Sequence, residues 1–128
     1  MDKYEAIKGK GRNEIRFLAY NMGSDLIVCI YNINAHAGAV ALSEYDNKEK
    51  RASTSVITRL GHKDETIAQR AAYLISKHTK RASCVIAGVH LDNITSQEIN
   101  DILANVNIAL KEFIKSISPR RDGSHSTI

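Results

Sequence analysis

The sequence predicts an α+β domain with two helices on one face of a five-stranded, mostly antiparallel sheet, in the order ββββαβα. Three observations predict it. Residues 13–60 hold period-two apolar alternation and β-branched runs, broken by turn signals. Two later stretches, DETIAQRAAYLISKH (64–78) and ITSQEINDILANVNIALKEFIK (94–115), change to a helical period. Between them lies one apolar run, ASCVIAGVHL (82–91).

The elements follow in order. Residues 1–12, MDKYEAIKGKGR, read as a flexible basic arm, 13–117 as a single domain and 118–128 as a disordered tail. In NEIRFLAY, Ile15, Phe17 and Ala19 share one strand face. NMGSD (21–25) is a hairpin turn signal, with Gly23 suited to positive φ. LIVCIYNI (26–33) is nearly all apolar, as in a strand covered on both faces. A third strand covers Ala39–Tyr45, DNKEK (46–50) is a charged turn, and ASTSVITRL (52–60) is a β-branched fourth strand. In the first helix Ile67, Ala71, Leu74, Ile75 and His78 form one stripe, with Asp64 at the N-cap and Glu65 in the first turn. The run 82–91 reads as a central fifth strand.

Thr95 and Glu98 have the spacing of a capping box, and Ile94 and Ile99 occupy the two positions of a hydrophobic staple. The second helix carries Ile99, Ile102, Leu103, Val106, Leu110, Phe113, Ile114 and Ile117 on one stripe and ends before Pro119. Each helix has one apolar stripe, so each covers one surface. The apolar content of 26–33 and 82–91 implies that the other sheet face is covered as well, by self-association into a homo-oligomer.

At 128 residues the chain fits one domain with a core of its own. Its net charge of +4 is dispersed, and five Tyr, two Phe and no Trp give no aromatic-rich basic stripe for nucleic acid. The balance suits a small anionic ligand. No apolar run is long enough to span a bilayer, and the first residues have no signal-like apolar region. Cys29 and Cys84 lie in β-like runs with no C-x-x-C or zinc spacing. They read as structural thiols, and the cytoplasm is the expected location.

Three motifs could carry chemistry. RLGHKDE (59–65) sits between a strand and a helix N-terminus, where backbone N–H groups and the helix dipole favour an anion. Arg59, Gly61, His62 and Lys63 could hold a phosphate there, or be an ordinary loop with solvated charges. Asp64 would compete for the same N–H groups. In AGVHLDN (87–93), alternation puts Gly88 and His90 on one face, and Asp92 and Asn93 begin a turn. Gly88 would let something approach closely, although a strand-end histidine with a turn accounts for the same residues. NAHAG (34–38) sets His36 among small residues, which suits either a turn or a cavity wall. His36, His62 and His90 could converge on a metal, but their separations give that no support. Neither a nucleophile elbow nor a Walker or dinucleotide glycine loop occurs.

Taken in order, NAHAGAV, LGHKDE and AGVHLDNIT resemble the small D subunit associated with gallate-type (hydroxyarylic acid) decarboxylases, the prenylated-flavin chaperone family. The resemblance spans residues 13–116. Val89 stands where relatives have Ile, and Ala37 where many have Ile. The resemblance implies a non-catalytic chaperone that binds reduced prenylated FMN and assists its delivery to, or maturation in, a UbiD-like decarboxylase. The implied cofactor-binding residues are His36, Gly38, Arg59, Gly61, His62, Lys63, His90 and Asn93. The phosphate would lie at Arg59 and Gly61–Lys63, with His36 and His90 facing the ring system. It also leaves room for a divalent or iron ion on His36, His62 and His90. Two other readings stand beside it: a small enzyme using those three histidines on a phosphorylated molecule, and a structural subunit of a decarboxylase complex. None of these readings includes a nucleic acid or a membrane.

Overall fold

The computed structural model describes residues 3–59 and 64–117. Six strands form one mixed sheet: β1 (Lys3–Lys8), β2 (Ile15–Met22), β3 (Asp25–Tyr31), β4 (Ala39–Asp46), β5 (Arg51–Thr58) and β6 (Ser83–Gly88). Helix α1 (Glu65–Thr79) precedes β6 and α2 (Ser96–Ser116) follows it. A 3₁₀ turn, Gly11–Asn13, joins β1 to β2. The spatial order is β1-β2-β3-β6-β4-β5. Every pairing is antiparallel except β3 with β6, which run parallel from Leu26↔Ser83 to Tyr31↔Gly88.

The α+β class and the two-layer arrangement are as expected, but the sheet has six strands rather than five. The extra strand is β1, which lies in the stretch read as an arm. Its KYEAIK sequence alternates, with Tyr4, Ala6 and Lys8 half-buried and Lys3, Glu5 and Ile7 exposed. Charge on an edge strand discourages pairing with other chains, and here it also hid the strand's pattern. Tyr4 packs at 5.1 Å from Phe113 and edge-on to Phe17 at 6.1 Å, ring centre to ring centre. Arg12, also placed in the arm, donates from Nε to Glu98 (2.7 Å) and from Nη2 to the Asp92 carbonyl (2.8 Å).

One apolar core lies between the sheet and both helices. Ile15, Phe17 and Ala19 of β2, Leu26, Val28 and Ile30 of β3, and Val85 and Ala87 of β6 point into it. Alanines 68, 71 and 72 let α1 lie close against the sheet. Buried hydroxyls fasten that contact: Ser76 Oγ donates to the Ser43 carbonyl (3.1 Å), and Ser83 Oγ to the Ala72 carbonyl (2.9 Å). His78 leaves the stripe assigned to it. It is exposed, and Thr79 takes the inward position, donating to the Ile75 carbonyl at 2.6 Å.

Within one chain, β3 is covered on one face only. Leu26, Val28 and Ile30 are buried, whereas Ile27, Cys29 and Tyr31 alternate onto the open face. Register aligns Leu18, Cys29, Ile86, Val40 and Ile57 in one row across five strands of that face. Leu42 and Ile57 are 58% and 75% exposed there. Cys29 and Cys84 share this face and neither forms a disulfide; burial, then the neighbouring Cys84, pushes the Cys29 thiol up from its ordinary range. Among the described residues, no helix is long and apolar enough to cross a membrane.

Candidate functional site

The parallel β3–β6 pair carries the candidate site at its C-terminal end. Tyr31 and Gly88 face each other at the last paired position, and the chain leaves both strands there. The same end receives the start of β4, the end of β5 and the N-termini of both helices, since Ala39 pairs with both Thr58 and Ala87. Topology thus gathers NAHAG, Arg59, Asp64 and VHLDN although they are far apart in the chain.

A short polar network sets the loops. Asn32 is 2% exposed and bridges the strand ends: its Nδ2 donates to the His90 carbonyl (2.9 Å), and its Oδ1 accepts from the His90 N–H (3.2 Å). Asn34 Nδ2 donates to the same carbonyl (2.9 Å). Asn32 Oδ1 also accepts from the Asn34 N–H at 3.2 Å, which closes the turn after β3. Buried polar atoms are thereby satisfied where the strand ladder stops.

His36 lies inside this frame. Its Nδ1 is 2.8 Å from the Asn34 carbonyl, which can only accept, so Nδ1 carries a hydrogen. Its Nε2 faces Asp64 Oδ2 at 3.4 Å. Asp64 is 5% exposed, and its Oδ1 accepts from the Val89 N–H at 3.0 Å. Asp64 therefore joins α1, β6 and NAHAG. It does not act as the side-chain cap that its position suggested, because its side chain makes no capping bond to α1. The competition expected between Asp64 and an anion for those N–H groups is absent.

The two glycines have a different role from the one expected of them. A Cβ at Gly88 would fall on the His36 backbone carbonyl, and one at Gly38 on the Asp64 carboxylate. Both glycines allow segments of the chain itself to meet, and the space beside them is already filled. The Gly38 N–H donates to the Ala87 carbonyl (2.9 Å) and its carbonyl accepts from the Arg59 N–H (2.9 Å). The Arg59 side chain donates to the Ala37 carbonyl at 3.2 Å, bringing its guanidinium to this end of the molecule.

His90 is the more open imidazole, with 59% of its side chain exposed and Nε2 at 3.0 Å from Asp92 Oδ1. The two histidine rings stand edge to face with centres 6.4 Å apart. Asn93 takes the left-handed turn conformation (φ 52°) that leads toward α2. The capping box forms as read: Thr95 accepts from the Glu98 N–H (3.1 Å), and Glu98 accepts from the Thr95 N–H (3.0 Å).

Two hollows flank the polar network. One, of about 480 Å³, opens between α1 and α2 and is bounded by Asp64, His90, Ile94, Ile99, Ile102 and Leu103. That is within the roughly 300–1,000 Å³ of small-molecule pockets. The other, about 290 Å³, is shallower and lies on the open sheet face against Ala35, His36 and Ala37.

Of the residues expected at the site, His36, Gly38, Arg59, His90 and Asn93 are at this one end. Gly61, His62 and Lys63 lie outside the described residues. Among the described residues no three His, Cys, Asp or Glu side chains are placed to hold a metal, so the suggested ion has no support here. Sequence reasoning missed Asn32 and the true role of Asp64. The available signal was a polar residue ending an apolar strand.

No curated protein matches the chain. The fold is similar to that in the "Crystal Structure of a Novel Chaperone Complex for Yeast 20S Proteasome Assembly", with a TM-score of 0.56 and 13% identity over 91% of this chain and 95% of that one. The model of the prenylated flavin chaperone LpdD-like domain matches residues 9–118, and the chain belongs to that family.

Proposed function

We propose that this protein binds reduced prenylated FMN at the C-terminal end of the β3–β6 pair and assists its delivery to, or maturation in, a UbiD-like decarboxylase. The observation that carries the reading is the convergence of His36, Arg59 and His90 beside an aliphatic crevice of about 480 Å³, in a chain of this family. The residues fit such a ligand in two respects. The first N–H groups of α1 receive no capping bond from Asp64, and Arg59 lies at the same end, which suits a phosphate. The exposed His90 and the apolar crevice suit a ring system with one polar edge and one greasy one.

When bound, the reduced flavin supplies electron-rich redox chemistry whose oxidised product serves the decarboxylase. The chain's own contribution is to bind, orient and exclude water. His36 and Asp64 hold the NAHAG loop against β6, and Asn32 and Asn34 fix the backbone that carries His90. Both ring nitrogens of His36 face acceptors of the protein itself, so His36 positions the site, whereas His90 meets the ligand. A second copy of the chain covers the apolar open face, and the two unpaired thiols fit a reducing compartment.

The test is anaerobic titration with reduced prenylated FMN, followed by flavin fluorescence and thermal shift. Wild type is expected to bind and to melt at higher temperature. His90→Ala is expected to weaken binding tenfold or more while keeping the melting temperature of the ligand-free protein. Absence of binding by the folded wild type would overturn the reading.

A further inference from the structure

The helical period puts Ile99 and Leu103 on the buried stripe of α2, yet they remain 42% and 39% exposed, and Ile94 beside them 37%. All three border the crevice of about 480 Å³, whose interior is formed by Leu91 and Ile102, at 5% and 3% exposure. The capping box fixes the helix entry between Ile94 and Ile99, so the walls are set before anything enters. Aliphatic side chains held half-open around a hollow, at the edge of a polar site, make a built receptor for a small apolar group.

We propose that this crevice receives the isoprenoid-derived ring of the reduced prenylated flavin, and that it is the feature by which the chain distinguishes that ligand from unmodified reduced FMN. The inference rests on the function proposed above. Two observations identify the occupant. Among the described residues no Phe, Tyr or Trp lines the crevice and its one ring is the His90 imidazole at the polar edge, so the aliphatic interior offers no stacking platform for a flat isoalloxazine and suits a saturated, methyl-bearing ring. The crevice is also continuous with the polar site, because Asp64 and His90 bound it. A ligand with its polar edge at His90 would thus place an adjoining apolar ring against Ile99 and Leu103.

The experiment is a pair of anaerobic titrations, one with reduced prenylated FMN and one with reduced FMN. They use wild type, Ile99→Gln, Leu103→Gln, the conservative Leu103→Met, and Ile108→Gln, which changes an exposed isoleucine (47%) of α2 outside the crevice. Circular dichroism and melting curves confirm that each variant is folded. Wild type is expected to prefer the prenylated ligand. Either crevice glutamine should lower affinity for it roughly tenfold or more, the scale of one misplaced methyl-sized contact, and leave affinity for reduced FMN unchanged. Leu103→Met and Ile108→Gln should behave as wild type. Retained preference in both crevice glutamine variants, or equal loss toward the two ligands, would overturn the crevice assignment while leaving the function standing. Failure of the wild type to bind either reduced flavin would overturn both.

Discussion

At the scale of single residues, the molecule joins distant segments through a few close approaches. Gly88 is the tightest: any side chain there meets backbone, the His36 carbonyl, which cannot rotate away. Gly88→Ala is expected to cost about 1–3 kcal/mol, read as a lower urea midpoint with an unchanged slope. Gly38→Ala meets a side-chain carboxylate instead, so it should disturb the Asp64–His36 contact and weaken ligand binding as well as stability. These residues were visible in the sequence as motifs, but their roles were not. A glycine before a histidine reads the same whether the room is for a ligand or for a passing loop. Asp64 at the start of a helix likewise reads as a cap, because the Val89 N–H it actually binds is 25 residues away. Local pattern carries no information about that partner.

At the scale of elements, the helices and most strands followed from periodicity, since alternation and the 3.6-residue stripe report burial directly. The start of α2 was the clearest case because both bonds of its capping box are local. Thr95→Ala should remove one of them and lower stability by about 1 kcal/mol, measurable by chemical denaturation. Glu98 links that local cap to a distant element. The Arg12 guanidinium, then the Thr95 N–H, hold its carboxyl down at about 2. A carboxyl whose folded pKa is depressed contributes stability above its ordinary value, and that contribution falls away as pH drops from about 4.5 toward about 2. Glu98→Gln should therefore lower stability modestly above about pH 4.5, by an amount reduced by solvent screening, and converge on wild type as the pH falls toward about 2, so that the acid side of the stability profile flattens. The strand that reasoning missed, β1, has the weakest local pattern. Half of its residues face solvent, and its inward Tyr4 packs against Phe17 and the distant Phe113.

At the scale of the whole molecule, one face of the sheet is covered by helices and the other presents a continuous apolar row from Leu18 to Ile57. Wild type is expected to sediment as a dimer or larger species. Ile86→Lys, at the centre of that row, should give monomers with an unchanged circular dichroism spectrum. A monomeric wild type at micromolar concentration would refute self-association through this face. The strand order could not be read from the sequence, because insertion of β6 between β3 and β4 depends on which edges remain open. That insertion has a consequence in time. Two antiparallel units, β1–β3 and β4–β5, can form early from near neighbours, but no hydrogen-bonded strand joins them until residues 83–88 exist. On the ribosome the emerging chain therefore carries two unjoined sheet edges until residue 88 has emerged, and slow closure over this long sequence separation should dominate refolding. The last of the described strands in chain order is the one that locks the sheet, and it delivers Gly88 and the adjoining His90 to the site in the same event.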